Sequence, residues 1–141
     1  MKKTMVLGLV VLLVIGSAVA AHAKAQKADL KDENGTVGFV IFNNPDPKDN
    51  ETNIKVVVSL KKGSPITTYD VDFHARCPDT GGSVDITPFG FLTTNPRGKG
   101  NWTSEDIPFH LILGVEPGQW EILVTVGTIF TSDTVTLNLK K

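Results

Sequence analysis

From residue 54 onward, apolar and polar side chains alternate in short bursts. In Ile54-Lys55-Val56-Val57-Val58-Ser59-Leu60 every even position is apolar, while Lys55 and Ser59 fall on the other face, the pattern of a strand with one buried side. After the polar stretch Lys61-Lys62-Gly63-Ser64-Pro65 the alternation restarts. Tyr69, Val71, Phe73 and Ala75 face one way, and Asp70, Asp72, His74 and Arg76 face the other. The two runs are predicted to form a half-buried hairpin around which the rest of the chain is organised. Upstream, residues 36–42 are apolar on both faces beyond Gly38, predicting a strand covered on both sides or an edge used by a partner.

Turn chemistry separates these runs from the others. Residues 43–53 (NNPDPKDNETN) and 77–83 (CPDTGGS) are loops by their Pro, Gly, Asn and Asp content. Residues 84–94 carry Val84, Ile86, Phe89, Phe91 and Leu92 but are interrupted by Pro88 and Gly90, which predicts two short strands or one broken by a bulge. A hairpin turn over 93–102 follows, then alternation through Ile107, Phe109, Leu111 and Leu113, a turn at Glu116-Pro117-Gly118, and further alternation through Trp120, Ile122, Val124, Val126, Val135, Leu137 and Leu139. No helical period follows residue 35. About seven to nine short strands divided by turn clusters predict an all-β, antiparallel β-sandwich over residues 36–141, with an up-and-down barrel as the alternative. Val56, Val58, Leu60, Tyr69, Val71, Phe73, Phe109, Leu111, Trp120, Ile122, Val124, Val135 and Leu137 are the predicted core. Burying each is worth ~1.5–3 kcal/mol, enough for ordinary stability without disulfides.

The first 23 residues have a different pattern. Lys2 and Lys3 precede an apolar run and then Gly16-Ser17-Ala18-Val19-Ala20-Ala21-His22-Ala23, the charged, apolar and small-residue regions of a secretory signal peptide cleaved near Ala23. An uncleaved anchor is the other reading, and it would be the chain's one membrane attachment. Residues 24–35 are rich in Lys, Asp, Glu, Ala and Asn and are expected to be a flexible, solvated leader. Cleavage would remove two lysines and shift the formal charge from −1 to −3, a mild acidity that argues against nucleic acid as partner. Cys77 is the only cysteine, so no internal disulfide forms, and it is expected to be a small buried residue.

Residues 60–71 (LKKGSPITTYDV) resemble the Leu, Pro, Tyr spacing that precedes a late strand of fibronectin type III and related immunoglobulin-like domains. Residues 114–122 (GVEPGQWEI) and 93–101 (TTNPRGKGN) are similar to segments of uncharacterised bacterial and archaeal secreted β domains. The resemblance implies an immunoglobulin or fibronectin III-like sandwich. A second likeness, to copper-zinc superoxide dismutase, rests on the order of Phe73-His74-Ala75-Arg76-Cys77, Gly81-Gly82, residues 90–94 and Gly98-Lys99-Gly100. That family holds its metals with a His-x-His pair and further histidines. Here Asp72 stands two before His74, and the chain after residue 23 keeps only His74 and His110, so at most the architecture carries over.

Candidate chemistry is sparse. His74 and His110 on the polar sides of two strands, with Asp70, Asp72 and Asp85 nearby, are candidate ligands for zinc or copper. Asp46, Asp49, Asn50 and Glu51 offer hard oxygen ligands for calcium, with Asp79 or Asp85 as a further donor, though without EF-hand spacing. Trp102, just after a turn, is a candidate binding aromatic for a sugar ring or a protein contact. There is no Gly-x-Ser-x-Gly elbow and no phosphate-binding glycine loop before a helix. The sequence therefore predicts a secreted, non-enzymatic module for binding a protein or glycan, or for structural association, at or outside the cell surface; the alternative is a small metal-binding protein or metalloenzyme with a superoxide-dismutase-like sandwich using His74 and His110. Loops 43–53, 77–83 and 95–102 are the expected recognition surface, and strand addition by residues 36–42 is a route to a homo-oligomer.

Overall fold

A computed structural model describes residues 25–43, 53–105, 107–108 and 118–139. They form ten strands and no helix: β1 (Gln26–Asp32), β2 (Gly35–Asn43), β3 (Asn53–Leu60), β4 (Thr68–Arg76), β5 (Ser83–Thr93), β6 (Gly100–Thr103), β7 (Ile107–Pro108), β8 (Gly118–Val126), β9 (Phe130–Ser132) and β10 (Val135–Leu139). All pairings are antiparallel. The strands follow one path, β5-β4-β8-β9-β1-β2-β3-β6, with β10 added beside β8 and β7 beside β3. The sheet curls until its two end strands come together, nearly closing a barrel. A Cβ on Gly90 of β5 would lie 2.2 Å from the Trp102 indole of β6, so only glycine lets these strands approach. The predicted all-β, antiparallel architecture is present; the sheet is nearly closed into a barrel, but its strand order is not the sequential one of an up-and-down barrel.

Period two decides which side chains point inward. In β4 the buried set is Tyr69, Val71, Phe73 and Ala75, and in β8 it is Trp120, Ile122, Val124 and Val126. Ile54, Val56, Val58 and Leu60 are each at most 1% exposed, and Cys77 is buried as a free thiol. Of the predicted core, Phe109 and Leu111 lie outside the described residues.

Three expectations about neighbours are corrected. β3 and β4 are both strands, but they are not a hairpin: β3 pairs with β2, β6 and β7, and β4 pairs with β5 and β8. The connection over 61–67 is a crossover between the two sides of the barrel. It is tied down at the other end of β5, where Gly63 N–H donates to Gly98 O (2.8 Å), Thr94 N–H donates to Thr67 O (2.9 Å) and Ser64 N–H donates to the Tyr69 hydroxyl (2.9 Å). The supposed flexible leader contains β1, whose Ala28 and Leu30 are buried and which pairs with β2 along its length. Residues 36–42 are therefore an inner strand. β2 is bonded to β1 on one edge and to β3 on the other, so strand addition cannot occur there.

Candidate functional site

The apolar outer face predicted for residues 36–42 becomes the floor of a groove. Gly38, Val40 and Phe42 point into the core side of β2, which leaves Phe39 and Ile41 half-buried on the outside. Across the register Asp29 of β1 and Ser59 of β3 flank Phe39, and Lys27 and Val57 flank Ile41. Where β3 ends, Lys61 N–H donates to Val37 O (2.8 Å), which fixes the base of the Lys61 side chain beside β2. The result is a groove of about 220 Å³ lined by Lys27, Asp29, Thr36, Phe39, Lys61 and Lys62. Its volume suits one ring-sized group and falls below the ~300–1,000 Å³ usual for an enclosed small-molecule site.

Two ammonium groups share the Phe39 ring. Lys27 Nζ stands 4.6 Å from its centroid and Lys61 Nζ 5.5 Å. Each aliphatic stem lies on apolar surface while the charge stays in water, and the ring quadrupole adds about 0.5–1 kcal/mol per exposed contact. Among the described residues, the ion pairs are Lys31 with Asp133 (2.9 Å) and His74 with Asp85 (2.6 Å). Among the described residues, Lys27, Lys61 and Lys62 thus have no carboxylate within ion-pair distance. What the groove can do is take an acidic group between its lysines with a flat apolar part on Phe39, while Asp29 is placed to accept a hydroxyl.

His74 has partners other than those expected for a metal site. It lies on the outer face of β4, with Nδ1 2.6 Å from Asp85 Oδ1 of β5 and Nε2 3.1 Å from Thr125 Oγ1 of β8. Carboxylate, imidazole and hydroxyl stand in the order of a nucleophilic triad, but β8 is paired on both edges at Thr125, which ties up the strand amides that an oxyanion would need. Of the proposed zinc or copper ligands, Asp85 joins His74, Asp70 and Asp72 share its face of β4, and His110 lies outside the described residues. Among the described residues no three His, Cys, Asp or Glu side chains cluster as a metal site.

The proposed calcium ligands Asp46, Asp49, Asn50 and Glu51 also lie outside the described residues. Trp102, the candidate binding aromatic, packs at the edge of the core. Its half-buried indole meets Phe89 edge-on at 5.2 Å, and Phe89 in turn meets Phe73 at 5.4 Å, an aromatic row that fills the space between β6 and β5. Of the three expected recognition loops, residues 44–52 of loop 43–53 lie outside the described residues. Strand directions put the 77–83 loop at one end of the barrel and the start of the 95–102 loop, bonded to 61–67, at the other.

The groove residues were missed because they are distant in sequence and ordinary in type. The available signals were the doubly apolar strand 36–42 and the Lys61-Lys62 pair after it; Lys27 carried none without the knowledge that β1 lies beside β2. Comparisons with protein-family models, with curated proteins and with solved structures find no match for this chain.

Proposed function

We propose that this chain is a secreted, non-enzymatic β-sandwich module, immunoglobulin or fibronectin III-like, that binds an acidic group of a protein or glycan at or outside the cell surface. The observation that carries the binding reading is the set of three lysines without a carboxylate partner among the described residues, two of them poised over one phenyl ring. An acidic ligand would give each ammonium a counter-charge, and a sugar ring or apolar stem would cover Phe39. The module reading is supported by strand order. With β1 set aside, β2, β3 and β6 make one side and β5, β4, β8 and β10 the other, and the chain crosses between sides after β3 and again after β5, as Greek-key sandwiches do. The export address is supported by the charged, apolar and small-residue order of residues 1–23.

The test is binding of the purified protein to a polyuronate and to polyglutamate at low salt. Both should bind, with affinity falling steeply as salt rises through the range where the screening length drops from ~30 Å to ~8 Å. Lys27→Gln/Lys61→Gln should weaken binding at least tenfold while lowering the thermal melt by only the few degrees that the two lost ring contacts cost. Absence of binding to either polymer, or binding indifferent to the double substitution, would sink the reading.

A further inference from the structure

The two outer faces of the barrel carry opposite charge. On the β1-β2-β3 side, period two sends Ala28, Leu30, Val56 and Val58 inward and leaves Lys27, Lys31, Lys55 and Lys61 outside, with Lys62 at the rim; Asp29 lies on the same face, Asp32 ends β1, and Lys31 is paired with Asp133. On the β5-β4-β8 side the same rule leaves Asp70, Asp72, Asp85 and Glu121 outside with His74 and Arg76. Neither Asp70 nor Asp72 has a cation within ion-pair distance among the described residues. The core lies between the two faces, so they look away from each other and cannot neutralise one another within one molecule.

The acidic face also presents a ring. Phe91 is 58% exposed and stands directly across the register from Asp70. An exposed phenyl beside carboxylates complements a half-buried phenyl beside lysines, neither set having an ion-pair partner among the described residues. Resting on the groove reading above, we infer that one partner of the groove is a second copy of this chain: Phe91 of one copy lies against Phe39 of the next, and Asp70 and Asp72 meet Lys27 and Lys61. The net charge is close to zero, so repulsion between whole molecules is weak, and facing charges within a screening length of ~8 Å dominate at close approach. The contact joins two different surfaces. It is therefore heterologous, and without a closing rotation it extends into a stack of copies rather than stopping at a dimer.

Sedimentation of the purified protein over a range of concentrations tests this, at about 10 mM and about 1 M salt, where charges are screened beyond roughly 30 Å and 3 Å. The wild-type protein should associate progressively at low salt and return to monomer at high salt. Lys27→Glu/Lys61→Glu and Asp70→Lys/Asp72→Lys should each stay monomeric alone and associate when mixed, because the swapped faces complement one another. Phe91→Ala should weaken low-salt association at least tenfold. Binding of polyuronate separates this inference from the one it rests on: Asp70→Lys/Asp72→Lys should retain it while losing self-association. A wild-type protein that binds polyuronate through Lys27 and Lys61 yet remains monomeric at low salt overturns the stack and leaves the groove reading standing. Loss of both would end both, and association that survives in either swapped variant alone would overturn the stack.

Discussion

Ser104 and Ser132 perform the same task at two different breaks in the strand ladder. Ser104 follows β6, where the chain steps away from β3 before β7 resumes the pairing. Its Oγ accepts Val56 N–H (2.8 Å) and donates to Glu105 O (2.8 Å). Ser132 ends β9, and its Oγ accepts Val124 N–H (2.9 Å) and donates to Asp133 O (3.0 Å). Both serines are buried, and the amides they serve belong to residues with no exposed surface. Alanine would leave a buried N–H without a partner, and water cannot reach it. Ser104→Ala and Ser132→Ala should therefore each cost about 1–3 kcal/mol in denaturant unfolding, seen as a lower midpoint at unchanged slope. A loss below about 0.5 kcal/mol would mean the amide finds another acceptor. Nothing in the sequence singles out these two serines. Their role depends on where the ladder breaks, which is a property of pairing and not of local pattern.

At the scale of elements, β1 shows how a strand can escape notice. Its inward residues are Ala28 and Leu30, one of them a single methyl, and its outward residues Lys27, Asp29 and Lys31 read as a solvated tail. The turn that follows, Asp32-Glu33-Asn34-Gly35, was the stronger clue: Asn34 N–H donates to Asp32 Oδ1 (2.8 Å) and Gly35 sits at φ 132°, joining β1 to β2. β4 and β8, by contrast, were fully legible, because large apolar residues recur at period two in each, Tyr69, Val71 and Phe73 in one and Trp120, Ile122, Val124 and Val126 in the other. Pairing was not legible. Sequence neighbours β3 and β4 had both edges claimed by strands far along the chain, and no alternation pattern encodes that. β1 also joins the two sides of the barrel, through the short ladder of Leu30 with Ser132 and Lys31 with Thr131, extended by Asp133 N–H donating to Asp29 O (2.9 Å). Beside this short ladder Lys31 Nζ bonds Asp133 Oδ1 (2.9 Å). The hydrogen bond and charge of Asp133, with Asp29 adding, raise the Lys31 pKa above its usual 10.5. A raised folded value means the stabilisation is complete below about 10.5 and is lost as pH climbs through the raised value. Melts of the wild-type protein and Lys31→Met should accordingly differ at pH 8, the wild type being higher, and converge above that point. The gap should also shrink in high salt, since the pair is exposed. A gap that persisted in strong alkali would assign the effect to packing of the lysine stem.

The whole molecule closes in two different ways. On one side β8, β9 and β1 carry the sheet across by hydrogen bonds. On the other, β5 and β6 meet through side chains: the Trp102 indole over Gly90, Phe89 against the indole, and Leu92 beneath Gly100. A seam made of hydrogen bonds tolerates the loss of one side chain, because the backbone ladder remains. A seam made of packing does not, because Trp102 is what keeps water from the edge of β5. Trp102→Ala should cost at or below the low end of the ~3–5 kcal/mol typical of a lost core aromatic, since the indole is only half-buried. The informative readout is spatial. Amide exchange should accelerate in β5 and β6 well beyond the change expected from the global loss of stability, while β1, β2 and β9 should follow the global change alone. Uniform acceleration through all the strands would show that the barrel opens as one unit and that the two seams are equivalent. Selective opening at β5 would also expose the strand that carries Phe91, so self-association of Trp102→Ala at low salt should weaken along with the seam.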